Sequence, residues 1–396
     1  MLLAPFAALW VVAAVSPAAS VALDRTLATD PALPAAEIKA EPPPQLLHID
    51  RKTQAVGDLV VELVVARPHS ERGGDISGHL DAALSELARV DAAFDERRPG
   101  GAIGRINAAA GQGPVAVDPE TFAVLTELRR VAHLTRGAFD ITSAAYERAW
   151  FPSAMQSGRQ SSAAESTSPS TSTSTSTSTS LAASPPPERV VPDKSALASL
   201  RALVGADVLE LDPVGRTARL QREGMRMSVR PVVWGYGLDR AAAVLESRGL
   251  RDFVISAGGD VVVRGSKVDT AWNVGIQDPR GEAPFAVLIS RANEAVMTAS
   301  DAEGAFTVAG VRHHAILDPR SGQSAGLCRS VTIVGPDALT ADALARAVFV
   351  LGAKEGLRLV KRLPGVEALI VTGDNEVVST PGLKARVKVR TPSVGQ

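Results

Sequence analysis

Seven short runs rich in β-branched and aromatic residues follow one another at 253–256, 261–264, 272–277, 285–290, 295–298, 313–317 and 330–334. Glycine or Asp-Pro separates them, so each reads as a strand that turns before it can lengthen. The segments on either side carry helical periodicity instead. After a strand at 57–66, Asp75 can cap a helix whose apolar stripe is Ile76, Leu80, Leu84, Leu87 and Val90. Asp118-Pro119 opens a second helix, with Phe122, Leu125, Leu128 and Ala132 on its buried face and Gly137 as its stop. A hairpin at 208–220, a helix at 238–248, helices at 340–351 and 354–363 and a last hairpin turning at 372–375 complete the pattern.

With 396 residues, 45% of them apolar, the chain can bury a full core as one large or two closely joined domains. Its 42 basic and 43 acidic residues nearly cancel, which removes the electrostatic footprint of nucleic-acid binding. Cys328 is the single cysteine, so one chain can build neither a disulfide framework nor a thiolate metal cluster.

The apolar run after Met1, ending in small residues, reads as a signal peptide over 1–22. It is too short and too rich in Ala and Pro for a membrane span, and no cysteine follows it to carry a lipid. The expected location is therefore periplasmic or otherwise extracytoplasmic. A Pro/Ala-rich spacer at 23–50 leads into a domain at 51–390. The Ser/Thr/Pro-rich tract at 153–188 has too little apolar area to offset its ordering entropy, and reads as a disordered insertion within that domain.

Four clusters could carry chemistry, and each has a plain structural reading beside the functional one. Gly137-Ala138-Phe139-Asp140-Ile141-Thr142 is a helix stop followed by Asp/Thr turn bonding, or a ligand loop. Ser256-Ala257-Gly258-Gly259-Asp260 is a hairpin, or a backbone turn that approaches a ligand closely. His314, entering the turn Asp318-Pro319-Arg320-Ser321-Gly322, is a structural histidine or a nucleotide donor; His313 points to the opposite face. Asp342 complements the dipole of the helix it opens, or is an oxygen ligand for Mg²⁺.

These clusters occur in one order, together with Arg105-Ile106-Asn107, Trp234-Gly235-Tyr236-Gly237-Leu238-Asp239, Trp272-Asn273-Val274-Gly275-Ile276 and Thr298-Ala299-Ser300. That ordered set resembles the FAD:protein FMN transferases, or ApbE-type flavin transferases, across about 59–378 outside the Ser/Thr tract. The resemblance implies an α+β fold, a mixed and largely antiparallel sheet with packed helices in a T-fold-like flavin transferase architecture. It implies transfer of FMN from FAD to a Thr or Ser of an exported acceptor protein, with release of AMP and with Mg²⁺ activating the pyrophosphate. Association with a membrane would come through the acceptor or an uncleaved N-terminus. Carried onto this sequence, Ala138, Phe139, Asp140 and Thr142 line the flavin nucleotide, Gly258, Gly259 and Asp260 form a ligand-facing turn, Thr298 and His314 lie near the nucleotide, and Asp342 ligates the metal.

The chain departs from the family pattern in several places. The position four after the metal aspartate, a threonine in the family, is Arg346; residues four apart share a helix face, so the guanidinium is expected to pair with Asp342. Trp234 replaces the acidic or lysine side chain before Gly-Tyr, and Arg230-Pro231 replaces a glycine pair. Thr298-Ala299-Ser300 stands for Thr-Ser-Gly, and Ala102-Ile103 for Ser-Glu. Two readings follow: a working transferase, or a degenerate member without catalysis that binds a flavin nucleotide or serves as an exported interaction module.

Overall fold

The computed structural model describes residues 47–68, 74–98, 100–150, 190–267, 270–281, 284–290 and 293–389. The signal peptide at 1–22, most of the spacer and the tract at 153–188 lie outside the described residues.

The chain opens with strands β1 (Leu47–Val56) and β2 (Leu59–Pro68), helices α1 (Ser77–Ala93) and α2 (Ala102–Ala108), strand β3 (Val115–Ala116) and helix α3 (Pro119–Leu134). A 3-10 turn at Ile141–Tyr146 runs into α4 (Glu147–Trp150); α5 (Lys194–Leu200), β4 (Leu209–Asp212), β5 (Thr217–Leu220) and α6 (Arg230–Ser247) follow. The strand-rich half contains β6 (Phe253–Ala257), β7 (Asp260–Arg264), β8 (Trp272–Gln277), β9 (Pro284–Ser290), β10 (Glu294–Ser300), β11 (Phe306–Val308), β12 (Val311–His313) and β13 (Cys328–Gly335). It closes with α7 (Ala338–Val360), β14 (Glu367–Thr372), β15 (Val377–Ser379), α8 (Pro381–Lys384) and β16 (Val387–Val389).

Along β2, Leu63 and Val65 join one apolar cluster while Val64 and Ala66 join another, and all four are buried. Such a strand must be covered on both faces. It lies in an eight-stranded sheet of order β1-β2-β6-β7-β10-β13-β14-β15, antiparallel at every pairing. One face packs under α1, α3, α6 and α7, where Leu84, Leu125, Leu238 and Phe349 meet Leu63, Ile255, Met297 and Ile333. The other is covered by the small sheet β16-β9-β8, whose Trp272, Val274, Ile276 and Leu288 meet Val64, Val254, Val263 and Val296. The expected α+β, largely antiparallel architecture is what the chain forms.

Several elements differ from the sequence reading. The helix expected at 238–248 begins at Arg230, with Pro231 in its first turn where no intrahelical donor is needed. Gly235 and Gly237 disguised that first half. A Cβ on Gly235 would sit 2.7 Å from the Ala338 carbonyl oxygen, so glycine there lets α6 meet the start of α7 closely. The two helices read at 340–351 and 354–363 do form: the run labelled α7 is two helices that part at Gly352, whose φ 75° and ψ 174° are not helical. The strand expected at 313–317 does not form: β12 ends at His313, and Leu317 keeps a single bridge to Ser324. The first strand starts at Leu47, ahead of the boundary at 51.

Candidate functional site

Helix α7 is anchored from two sides at its N-terminus. Asp337 accepts from the Thr340 N–H at 2.8 Å, and Asp239 of α6 accepts from the N–H groups of Ala338 at 2.8 Å and Leu339 at 3.2 Å. These bonds fix the turn that carries Asp342, which is 2% exposed. One turn on, Arg346 places Nε 3.3 Å from Asp342 Oδ1 and Nη1 2.9 Å from Glu303 Oε2, and Nε also donates to the Pro231 carbonyl at 3.1 Å. Glu303 is held in turn, since its Oε1 accepts from the Ser300 N–H at 3.0 Å.

Asp260 joins this group from the β6–β7 turn. Gly258 and Gly259, at φ 61° and 104°, make the turn that pairs Ala257 with Asp260, a conformation other residues adopt at a cost. Asp260 Oδ1 accepts from the Thr298 N–H at 2.9 Å, and the Thr298 and Thr332 hydroxyls bond at 2.9 Å. Burial pushes Asp342 up to about 7 against the pull of Arg346, and Glu303 pushes the same way as burial. Burial and then the nearby Asp342 hold Asp260 well above the usual carboxylate range. Burial works against the charge on Arg346, yet Glu303 and Asp342 keep its pKa above the ordinary arginine value. The cluster thus keeps a fixed guanidinium and two acids reluctant to ionise.

Arg346 also lines a cleft. Opposite it lies the turn that Asp140 caps: Oδ1 accepts from the Thr142 N–H at 2.8 Å and its hydroxyl at 2.6 Å. Thr142 Oγ1 accepts from the Gly205 N–H at 2.8 Å, tying that turn to the next loop. The Asp140 Oδ2 is buried without a partner, and burial raises the pKa of its carboxyl. A third wall comes from Ala315, Ile316, Leu317 and Pro319. Glu147 and Ser228 also face the cleft. Asn107 clamps the approach to Ser228, donating to the Met227 carbonyl at 2.9 Å and accepting from its N–H at 2.8 Å, while Ser228 donates to Glu96 at 3.0 Å. Burial, with Glu96 nearby, pushes Glu147 up to about 7. The cleft is narrow and open on one side, with about 60 Å³ of accessible space, so most of a larger ligand would lie at its mouth.

Of the residues singled out from sequence, Ala138, Phe139 and Asp140 stand on the cleft wall, and Thr142 braces it from behind. Asp342, Asp260 and Thr298, with Gly258 and Gly259 shaping the turn, assemble behind Arg346 rather than on the wall. His314 is turned away: Nε2 pairs with the Ala325 carbonyl at 2.7 Å, the ring meets Phe349 edge-on at 5.5 Å, and Ala315 takes the place on the cleft. Burial lowers its pKa and its Nδ1 has no partner. His313 packs on Trp150, centroids 5.4 Å apart. Sequence reasoning missed Glu147 and Ser228, whose setting depends on Glu96 and Asn107, distant in the chain.

The donor set does not suit Mg²⁺. That ion takes six oxygens at about 2.0–2.1 Å, whereas the inward oxygen of Asp342 faces a guanidinium that is itself held by Glu303 and Pro231. Among the described residues no three His, Cys, Asp or Glu side chains converge at metal distance.

The sequence profile described as the ApbE family matches residues 58–370. The chain belongs to the ApbE family. It is 28% identical over 352 residues to the FAD:protein FMN transferase of Treponema pallidum, covering 84% of this chain and 88% of that one. It is 23% identical to the FAD:protein FMN transferase of Vibrio cholerae, covering 81% of this chain and 86% of that one. The crystal structure of the ApbE protein from Thermotoga maritima superposes at a TM-score of 0.71 with 26% identity, over 86% of this ApbE chain and 99% of that one. The flavin transferase ApbE of Vibrio cholerae, at 20% identity and a TM-score of 0.66, shares the fold.

Proposed function

We propose that this ApbE-family protein binds FAD at the cleft and transfers its FMN portion to a serine or threonine hydroxyl of an exported acceptor protein, releasing AMP. The observation that carries this reading is the cleft itself, where the Asp140 turn, the Ala315–Pro319 segment and Arg346 converge within a chain matched to the family over 58–370. In the transfer the acceptor oxygen bonds to the FMN-side phosphorus as the bond from that phosphorus to the bridging oxygen breaks. The bridging oxygen and its electron pair depart with AMP. Glu147, on the cleft wall and poised near neutrality, takes the hydroxyl proton. Arg346 supplies a fixed positive charge toward the phosphates, as planar guanidinium donors do well.

Export through the N-terminal segment and an extracytoplasmic acceptor are part of the same proposal, supported by the sequence of 1–22. The test is to incubate the purified full chain with FAD and the exported-protein fraction of its host. Free AMP together with a covalently fluorescent acceptor band is the expected result.

A second reading is favoured by one observation, the guanidinium paired with Asp342, the residue that the family resemblance makes the metal ligand. It makes the protein a flavin-nucleotide binder without transfer, and bound FAD with no AMP released selects it. Absence of FAD binding excludes both.

A further inference from the structure

Beside the cleft, sharing Asp140 and Pro319 with it, lies a second cavity of about 510 Å³. That volume falls within the roughly 300–1,000 Å³ of small-molecule sites. Its wall carries Arg136, Arg201, Arg222, Arg320 and His133, against the carboxylates of Asp207 and the buried Asp140. Elsewhere arginines of this chain face acids: Arg89 meets Glu120, Arg130 meets Glu127, and Arg280 meets Asp301. In the cavity, Arg201 donates to the Val204 carbonyl and Arg222 to that of Ala202, so neither charge is matched by a carboxylate among the described residues. Arg136 has no ion pair among them either, and Arg320 alone of the four arginines does, with Asp318.

Arg136 is also in an unusual place. Helix α3 ends in a Schellman turn, with the Arg136 N–H bonded to the His133 carbonyl at 3.0 Å and the Gly137 N–H to that of Ala132 at 2.8 Å. The first position past the cap, where glycine is the norm, is Arg136 at φ 54°, and Gly137 comes one residue later. A basic residue in the last turn would complement the helix dipole without left-handed backbone. The strain instead sets a guanidinium on the cavity wall, and strained non-glycine residues gather at functional sites.

We propose that this cavity is a second ligand site, binding a phosphate ester through Arg136, Arg201 and Arg222. Guanidinium forks match phosphate oxygens in pairs, and the cavity has room for a nucleoside monophosphate. Phosphate binding here stands without the FAD reading, and only its assignment to a dinucleotide rests on that reading. The phosphate comes either from the adenosine half of a dinucleotide lying across the shared wall or from a separate molecule.

The experiment titrates AMP and pyrophosphate into the full chain by calorimetry at low and physiological salt, and repeats this with Arg136→Gln/Arg222→Gln and with Arg136→Gly. One-to-one binding is expected, weaker at higher salt and at least tenfold weaker in the double variant. Arg136→Gly should lose affinity while its melting temperature holds or rises, because glycine relieves the left-handed turn; a purely structural arginine would not behave so. FAD weakened in parallel assigns the phosphate to the dinucleotide, and FAD unaffected assigns it to a separate ligand. No binding of either probe, binding indifferent to both variants, or a glutamate-rich peptide that displaces pyrophosphate at equal concentration overturns the proposal.

Discussion

Arg346 holds Asp342 across one turn of α7, Nε to Oδ1 at 3.3 Å, with Asp342 2% exposed and the guanidinium braced by Glu303. Removing one partner of a buried pair leaves a charge without compensation, at a cost of about 3–5 kcal/mol. Arg346→Gln should therefore lose stability of that order at pH 8 in urea unfolding. The loss should shrink at pH 5, where Asp342, already raised to about 7, is protonated. Asp342→Asn/Arg346→Gln should recover most of it, and an equal loss at both pH values would contradict the pairing.

Glu147 titrates near 7 because burial and Glu96 oppose its charge. Its pKa in the folded chain is thus raised, so its contribution to stability is present below the ordinary carboxylate pKa and is lost as pH rises through about 7. Melting temperature should fall between pH 5 and pH 8, and Glu147→Gln should flatten that fall while removing the rise of transfer with pH through about 7. An unchanged slope in the variant would exclude the assignment.

Gly235 lets α6 lie against the start of α7. Gly235→Ala puts a methyl 2.7 Å from the Ala338 oxygen and should destabilise by about 1–3 kcal/mol, measured by chemical unfolding. A neutral result would mean the helices can part freely there.

Asn107 satisfies both main-chain groups of Met227, so Asn107→Ala strands a donor and an acceptor. About 1–3 kcal/mol of stability should be lost. Because the same clamp precedes Ser228 on the cleft, FAD affinity should fall as well, by fluorescence titration. Loss of stability without loss of affinity would separate the clamp from the site.

Much of this was legible in the sequence because the signals were local. The strand periodicity of 253–256 and 261–264, the Asp118-Pro119 cap and the four-residue spacing of Asp342 and Arg346 each act within a turn or a strand. The start of α6 was hidden since Pro231, Gly235 and Gly237 lower helix propensity; Pro231 suits the first turn, Gly235 meets the start of α7, and Gly237 faces Leu87 and Val90 of α1. His314 could not be placed by alternation, as the strand it was assigned to ends one residue earlier and the chain then turns its ring toward Phe349. Gly137 reads as the helix stop, yet the left-handed position next to the cap falls to Arg136, a choice that local propensity disfavours.

The most direct test compares FAD affinity of the full chain in EDTA and in excess Mg²⁺, by quenching of flavin fluorescence. With Arg346 as the cleft's resident cation, the two dissociation constants should agree within about twofold, since each tenfold gap would mean roughly 1.4 kcal/mol of metal contact. Binding at least tenfold tighter in Mg²⁺ would show that the guanidinium yields its place to a metal.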